Sequence, residues 1–473
     1  MADKLIGRSM EQEELLDLFH SGRPEFVAVF GRRRVGKTFL VNSLFKKEYA
    51  FKLTAVLDNN KSEQLRNFAD ALSEFGQKDV QIPTDWFSAF KQLRELLENS
   101  NRKRKVVFID EMPWLDTKRS RFIPALEHFW NSWASTQDDI MLIICGSAAS
   151  WIVKKIFRNR GGLYNRVTRR IFLQPFTLAE CRNYAEQTGL PFDAMSLLES
   201  YMVFGGIPYY LSLLNRKWSF AQNVNNLCFV QNGQLRNEFE SLFASLFRNA
   251  ARHLLVVEAL GKKKVGLTRE EILKATKLAD NGSLSETLED LELCGFIRKY
   301  TPVARKQTGS LDQLLDHSTL FNYAFIKGSP DEDPDYWMKK RTTPAFNTWR
   351  GFAFEQVCLS HVRQIQKAIG LSGIITHVES WKSEQSDPGA QIDLLINRSD
   401  NVISLCEMRF SSIELTLTKK LALELTHRKN VFVEETMTKK GVHIALVTPI
   451  GLKRNEYYDL VQSVVTLDDL LSS

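Results

Sequence analysis

Short apolar runs alternate with amphipathic stretches over the first two hundred residues of this 473-residue chain. The segments 26–30, 106–110 and 140–146 are continuous apolar runs, the second closing on an aspartate, as strands covered on both faces of a parallel sheet must be. Amphipathic segments at 37–47 and 86–99 lie between them and predict helices. The alternation therefore predicts an α/β core in which helices flank a parallel sheet.

The pattern changes beyond residue 200. Residues 200–245 are predicted to be helical throughout, and 250–325 to form three helices and a strand pair that starts with an extended segment at 295–300, the order of a winged helix. The charged, proline-containing stretch 327–344 is a candidate linker, and several apolar runs after it indicate a second α/β unit. We predict four domains: an α/β core at 1–180, a helical lid subdomain at 181–245, a winged-helix domain at 246–326 and a further α/β domain at 345–473.

The composition is that of a soluble globular protein, with 44% hydrophobic and 25% charged residues. It contains no run of about eighteen apolar residues and no apolar leader, so we expect a cytoplasmic protein without a membrane contact. The 63 basic and 56 acidic residues give a net charge of +7, which allows contact with DNA without requiring it. The six scattered cysteines predict buried free thiols. A protein partner and an oligomer both stay open.

Residues 31–38 fit the phosphate-binding pattern GxxxxGK[ST] in full, between an apolar strand and a helix. The two glycines allow backbone N–H groups to turn towards phosphates, and the following helix adds its positive end. We expect Lys37 to reach the β- and γ-phosphates and Thr38 to ligate Mg²⁺. The predicted ligands are ATP and Mg²⁺, and the residues predicted to bind them are Gly31, Arg32, Arg33, Arg34, Val35, Gly36, Lys37 and Thr38.

The ends of two further predicted strands supply candidate catalytic residues. Asp110 closes the second apolar run, where it can bind Mg²⁺ through water. Glu111 follows it and can orient and polarise the attacking water. The third run ends at residue 146, so Ser147 would emerge beside the γ-phosphate if this strand lies between the other two. The alternative role of Ser147 is to cap the next helix.

Several motifs in residues 1–215 together resemble the archaeal-type ATPases of the STAND group of P-loop NTPases, a branch of the AAA-like superfamily. They are IGR at 6–8, GRRRVGKT at 31–38, VVFIDEMPWLD at 106–116, IICGSA at 143–148, LYNR at 163–166 and GGIPYYL at 205–211. The resemblance implies ATP hydrolysis, with Pro208 near the base or ribose and Arg166 as a candidate finger or sensor at the γ-phosphate. For Pro208 the alternative is a turn between helices, and for Arg166 an ion pair with an acidic neighbour. Glycine is usual in the family where this chain has Asn165.

Residues 345–473 resemble the DUF234-like C-terminal domain of this family, which is related to the PD-(D/E)XK nucleases. The resemblance rests on GFAFEQVC at 351–358, GAQIDLLI at 389–396 and LCEMRF at 405–410. It implies a divalent cation held by Asp393 and Glu407, with Glu355 as a further ligand. Arg409 stands where that pattern has lysine, and an arginine cannot act as a base. We favour an ion pair of Arg409 with these carboxylates over a bound metal.

Three functions from different classes stay open. The third helix predicted for the winged-helix domain, at 283–294, carries four acidic residues and no basic one, so it would repel a DNA backbone. We favour an ATP-driven switch whose nucleotide state controls the appended domains. The alternatives are an ATP-dependent DNA nuclease and an ATP-locked scaffold that recruits a protein partner.

Overall fold

The chain divides after Pro175 into two units, Met1–Pro175 and Phe176–Ser473, in a computed structural model. The structure describes residues 5–57, 60–158, 161–247, 249–263, 265–300, 310–330, 333, 335–383 and 389–472. The division falls close to the predicted end of the core at residue 180. The finer division of the second unit into three domains stays a prediction.

A five-stranded parallel sheet lies at the centre of the first unit. Its strands are β1 (Glu25–Phe30), β2 (Tyr49–Thr54), β3 (Lys105–Asp110), β4 (Ile140–Gly146) and β5 (Arg169–Phe172). Their order is β2-β3-β4-β1-β5, with parallel pairing throughout. Every residue of β1 and β4 is buried, as expected for strands covered on both faces. The helices of this unit are α1 (Ser9–His20), α2 (Lys37–Phe45), α3 (Lys61–Glu74), α4 (Trp86–Glu98), α5 (Phe122–Ser132) and α6 (Ala149–Ile152).

The sequence patterns of these elements explain which of them could be predicted. The three apolar runs form β1, β3 and β4, and the two amphipathic segments form α2 and α4, as predicted. Asp85 begins α4 with a capping box, which satisfies backbone N–H groups that the first turn leaves without a partner in the helix. Strand β5 escaped prediction because it is an edge strand in which only Ile171 is buried, so it lacks an apolar run.

The second unit begins with helices. They are α7 (Leu178–Thr188), α8 (Ala194–Phe204), α9 (Pro208–Ser212), α10 (Phe220–Val224), α11 (Glu238–Leu246), α12 (Ala250–Lys262), α13 (Arg269–Thr276) and α14 (Gly282–Leu293). A small antiparallel sheet of order β6-β8-β7 accompanies the last three, with β6 at Leu267–Thr268, β7 at Ile297–Tyr300 and β8 at Leu311–Leu314. The three helices and the extended segment lie where the sequence predicts them, and the winged-helix domain itself stays a prediction.

The prediction of a linker at 327–344 is wrong for its second half. Helix α15 (His317–Phe321) precedes this stretch, and α16 (Tyr336–Lys340) lies within it. Trp337 in α16 is buried and stacks on Phe229, with ring centroids 5.3 Å apart. The prolines and charges of this stretch suggested a linker, but burial of the large Trp337 side chain removes apolar surface from water and stabilises α16.

A mixed five-stranded sheet forms the C-terminal part of the second unit, in the order β13-β12-β11-β10-β9. Its strands are β9 (Thr376–Lys382), β10 (Gln391–Arg398), β11 (Val402–Met408), β12 (Gly441–Val447) and β13 (Ser463–Val465), and its helices are α17 (Pro344–Ser360), α18 (Val362–Ala368), α19 (Lys419–Thr436) and α20 (Leu467–Leu470). Strands β9, β10 and β11 pair antiparallel, whereas β11, β12 and β13 pair parallel. The predicted α/β class, with a parallel-sheet core and a further C-terminal sheet, is confirmed. Within the described ranges no helix is both long and apolar enough to cross a membrane.

Candidate nucleotide site

The phosphate loop connects the end of β1 to the start of α2. Gly31 has φ 146°, and a Cβ there would lie 2.4 Å from the carbonyl oxygen of Leu173, so no larger residue fits. Gly36 has φ 90° and precedes the first residue of α2, Lys37. The buried Lys37 amine donates to the carbonyl oxygens of Gly31 (3.0 Å) and Arg32 (2.8 Å). The lysine is therefore folded over the loop, at the position where phosphates are expected.

The other loop residues form the body of this turn. Arg32 and Val35 are buried, Arg33 and Arg34 are half-buried, and Arg34 has φ 74°. Only a few per cent of non-glycine residues adopt a positive φ. The turn therefore imposes this backbone conformation on Arg34, which does not favour it by itself. The eight residues predicted to bind the nucleotide thus form one continuous stretch, in which residues 31–36 make the turn after β1 and Lys37 and Thr38 begin α2.

Arg8, the last residue of the IGR motif at 6–8, also belongs to this site, although its local sequence does not indicate that role. It has φ 59° and is buried. Its guanidinium donates to the carbonyl oxygens of Val35 in the loop (3.3 Å) and of Gln174 (2.5 Å), and lies 3.6 Å from Glu11. A buried arginine bound to two backbone segments far apart in sequence fixes the loop against the end of the core.

Asp110 and Thr38 lie side by side at the carboxyl ends of the strands. The Thr38 hydroxyl donates to a carboxylate oxygen of Asp110 (2.9 Å), and the backbone N–H of Glu111 donates to the other (3.0 Å). Burial, and then the neighbouring charge of Glu111, raise the pKa of Asp110. A hydroxyl and a buried carboxylate next to the phosphate loop are the oxygen ligands that Mg²⁺ prefers, so these residues fit the predicted ion.

Glu111 is held in position by Ser147. The Ser147 hydroxyl donates to one carboxylate oxygen of Glu111 (2.5 Å) and the Ser147 backbone N–H to the other (3.1 Å). Strand β4 lies between β3 and β1, the order on which the expectation for Ser147 depended. The residue that precedes α6 is Ala148, with no side-chain capping bond, so the alternative role of Ser147 as a cap does not occur.

The family resemblance implies two further residues, Arg166 and Pro208. Arg166 is exposed in a turn of the first unit, after Asn165 with φ 55°; this conformation explains why glycine is usual at that position. Pro208 is the first residue of α9 in the second unit. The preceding Gly206 has φ 69°, and a Cβ there would lie 2.2 Å from the carbonyl oxygen of Phe176. The roles of Arg166 and Pro208 towards a nucleotide stay predictions.

The two carboxylates proposed for the C-terminal domain have polar partners. Leu394 pairs with Cys406 between β10 and β11, so Asp393 and Glu407 come next along the two strands. Asp393 accepts from the Gln391 side chain (2.6 Å). Glu407 accepts from Arg409 (2.7 Å), the favoured ion pair, and also from Arg428 in α19 (2.5 Å).

Arg428 was missed because the sequence offers no local signal for it. In the part of the chain that the structure describes, no three His, Cys, Asp or Glu side chains are grouped to hold a metal ion. The predicted metal site at Asp393 and Glu407 stays a prediction. All six cysteines are buried free thiols, as predicted.

Comparisons with known proteins concern the family and the fold of the N-terminal part. Residues 5–214 match the family described as "ATPase domain predominantly from Archaea". The uncharacterized protein MJECL04 of Methanocaldococcus jannaschii is 23% identical over 434 residues, which cover 90% of this chain and 92% of that protein. Among solved structures, the Walker-type ATPase paby2304 of Pyrococcus abyssi is similar with a TM-score of 0.50 and 14% identity, over 67% of this chain and 96% of that one. The ORC2 protein of Aeropyrum pernix, solved in ADPNP–ADP complexes, has a TM-score of 0.41 and 14% identity, over 72% of this chain and 96% of that one.

Residues 5–214 therefore match an archaeal-type ATPase domain, and the fold of this part is that of a P-loop ATPase. The predictions of an ATPase and of a nucleotide ligand are confirmed at this level. The matched region ends at residue 214, and the family match assigns no activity to the domains after it.

Proposed function

We propose that this protein is an ATP-hydrolysing switch whose nucleotide state controls the domains after the ATPase domain. The observation that supports it best is the double hydrogen bond from Ser147 to Glu111, at 2.5 Å and 3.1 Å. A carboxylate oriented in this way favours turnover, because an ATP-locked scaffold would not need a water-orienting base. The adjoining pair of Thr38 and Asp110 favours a magnesium-dependent reaction.

Phosphate binding follows from the geometry of the loop. Backbone N–H groups of the loop and of the first turn of α2 can donate to phosphate oxygens. The Lys37 amine would exchange the neutral carbonyls of Gly31 and Arg32 for an anionic oxygen, and charge-assisted hydrogen bonds are the stronger kind. Magnesium, held by Thr38 and through water by Asp110, would neutralise the charge that develops on the β- and γ-phosphates.

Glu111 is the candidate base for the attacking water. A carboxylate offers about four acceptor positions, and Ser147 uses two of them. A water can donate to a third, which orients its oxygen towards the γ-phosphorus, and Glu111 then polarises the O–H bond. Ser147 is a positioning residue in this scheme, because it acts through Glu111.

The ion pairs of Glu407 favour a C-terminal domain that is controlled by the ATPase domain over one that cleaves DNA. Both oxygens of Glu407 accept from guanidinium groups, one from Arg409 and one from Arg428. A divalent cation would have to displace both arginines and then lie beside two fixed positive charges. We therefore propose that the nuclease-like arrangement of Asp393 and Glu407 is catalytically silent.

The first experiment measures phosphate release by the purified protein, with and without DNA, and by Glu111→Gln. The substitution keeps the size and removes the base, so ATP affinity should persist while turnover falls about a hundredfold or more. Glu95→Gln, in an exposed position on α4, is the matched control and should turn over like wild type. Equal turnover in Glu111→Gln and wild type would contradict the assignment.

A second experiment tests the switch itself. Glu111→Gln bound to ATP should differ from the same variant bound to ADP in the hydrogen exchange of backbone amides in residues 344–472. Identical exchange in the two nucleotide states would refute control of the C-terminal domain.

Measurements of DNA cleavage and of metal binding test whether the C-terminal site is catalytically silent. Plasmid and linear DNA should stay intact with the protein and Mg²⁺ or Mn²⁺. Arg409→Lys alone keeps the pair between Arg428 and Glu407, so only the double variant Arg409→Lys, Arg428→Ala should gain Mn²⁺ binding in calorimetry. Cleavage by wild type that is lost in Asp393→Ala would favour the nuclease instead.

A further inference from the structure

The segment 173–178 passes from the ATPase core into the second unit, and each of its ends is held by named contacts. In the first unit, the carbonyl oxygen of Leu173 lies against Gly31 of the phosphate loop, where it leaves no room for a Cβ. The next carbonyl, that of Gln174, accepts from Arg8, which also donates to the loop. The first end of the segment is thus part of the wall of the phosphate loop.

The other end of the segment is held in the second unit. The backbone N–H of Phe176 donates to the carbonyl oxygen of Gly206 (2.8 Å), and the absence of a side chain at Gly206 permits this approach. Thr177 begins α7 with a capping box that includes Glu180. The N–H of Leu178, in the first turn of α7, donates to Nε2 of His361 (3.0 Å). The first turn of α7 is therefore held by a histidine that is 183 residues away in sequence.

His361 can make this contact in one protonation state only. Its Nδ1 lies 2.8 Å from the carbonyl oxygen of Val357 and must carry the proton, and its Nε2 must then be the bare acceptor for Leu178. Burial lowers the pKa of His361 and favours this neutral form. The Tyr201 ring packs edge-on against both His361 and His317, with centroid distances of 5.1 Å and 5.3 Å. One buried cluster thus joins α7 and α8 to the helices of the C-terminal part.

We propose that segment 173–178 transmits the nucleotide state of the phosphate loop to residues 344–472, and that His361 is the positioning residue at its receiving end. This inference rests on the proposed switch function. Each residue spans at most about 3.6 Å, so a segment as short as 173–178 has little slack. It therefore cannot absorb a displacement of Leu173 and Gln174. A buried N–H without an acceptor is costly, so a shift of Leu178 is passed to His361 instead of being lost locally.

The experiment uses the full chain in the Glu111→Gln background and compares hydrogen exchange of residues 344–472 with ATP and with ADP. His361→Phe keeps a ring of similar size and removes the acceptor for Leu178. We expect the nucleotide-dependent difference in exchange to fall about tenfold in this variant. His361→Gln can offer an oxygen near the position of Nε2 and should restore most of the difference. His253→Phe, at a buried histidine of the same unit that bonds to Asn249, is the matched control.

The outcomes separate this inference from the proposed function. No nucleotide-dependent difference in the Glu111→Gln parent would refute the switch. A difference in exchange that is present in the parent and unchanged in His361→Phe would refute only the transmission through His361 and would leave the proposed switch intact. An equal loss in His253→Phe, or no recovery in His361→Gln, would show general loosening of the unit and would likewise overturn it. ATP turnover of His361→Phe in the otherwise wild-type chain should match wild type, because the catalytic residues are untouched.

Discussion

The contact of Ser147 with Glu111 allows a quantitative prediction. Ser147→Ala removes the hydroxyl bond of 2.5 Å but keeps the backbone bond of 3.1 Å, because the latter comes from the main chain. A hydrogen bond to a charged group contributes about 1.5–3 kcal/mol. If that free energy orients Glu111 in the transition state, kcat should fall roughly tenfold to a hundredfold. KM for ATP should stay unchanged, because Ser147 does not belong to the phosphate loop.

Steady-state phosphate release as a function of ATP concentration separates these two constants. Ser147→Thr keeps the hydroxyl and should retain most of the activity. Ser150→Ala, at another buried serine close by in α6, is the matched control and should behave like wild type. A kcat of Ser147→Ala within about twofold of wild type would refute the positioning role, and so would an equal decrease in Ser150→Ala.

Three further predictions concern Arg8 beside the phosphate loop, and Gly206 and His361 in the second unit. Arg8→Ala should weaken ATP binding about tenfold in a fluorescent-nucleotide titration, because the loop loses its bond to the buried guanidinium. Gly206→Ala should lower the thermal stability of the second unit more than Gly189→Ala, since both have φ 69° but only the first meets a neighbouring backbone. Between its lowered folded pKa and about 6.5, His361 takes up a proton only in the unfolded chain, so stability should fall as pH falls through this window. Burial raises the pKa of Asp312 to about 6, which changes stability with pH in the opposite direction. The free energy of unfolding is therefore measured by denaturation at each pH for wild type and for His361→Gln, and the difference between the two proteins gives the contribution of His361. Equal pH slopes in the two proteins would contradict the prediction.

The parts of the site that could be predicted from sequence are those encoded in contiguous residues. The loop around Lys37 and the strand that ends at Asp110 each carry an apolar run and a polar terminus in a single stretch. The sheet order places β4, which precedes Ser147, between β3 and β1, while the role of Ser147 beside a γ-phosphate stays a prediction. The supporting contacts join residues far apart in the chain. Arg8 binds a carbonyl 166 residues away, and no local periodicity specifies such a partner.

The same distinction explains the errors in the fold. Trp337 lies among prolines and charges, so its local sequence suggested a linker, whereas burial against Phe229 depends on residues more than a hundred positions earlier. Strand β13 has only three residues and offers too little pattern to recognise. Arg428 belongs to a helix of ordinary amphipathic sequence, and only the folded sheet brings Glu407 within its reach.

The backbone conformation of Glu111 places stability and catalysis in opposition at one residue. Its φ of 49° costs a non-glycine residue about 1–2 kcal/mol, and a glycine there would relieve that strain but remove the carboxylate. Selection for thermal stability alone should therefore favour glycine at this position, whereas selection for ATP turnover should retain glutamate. A deep mutational scan scored separately for abundance and for ATP turnover would reveal such a trade-off as opposite rankings of glycine and glutamate at residue 111.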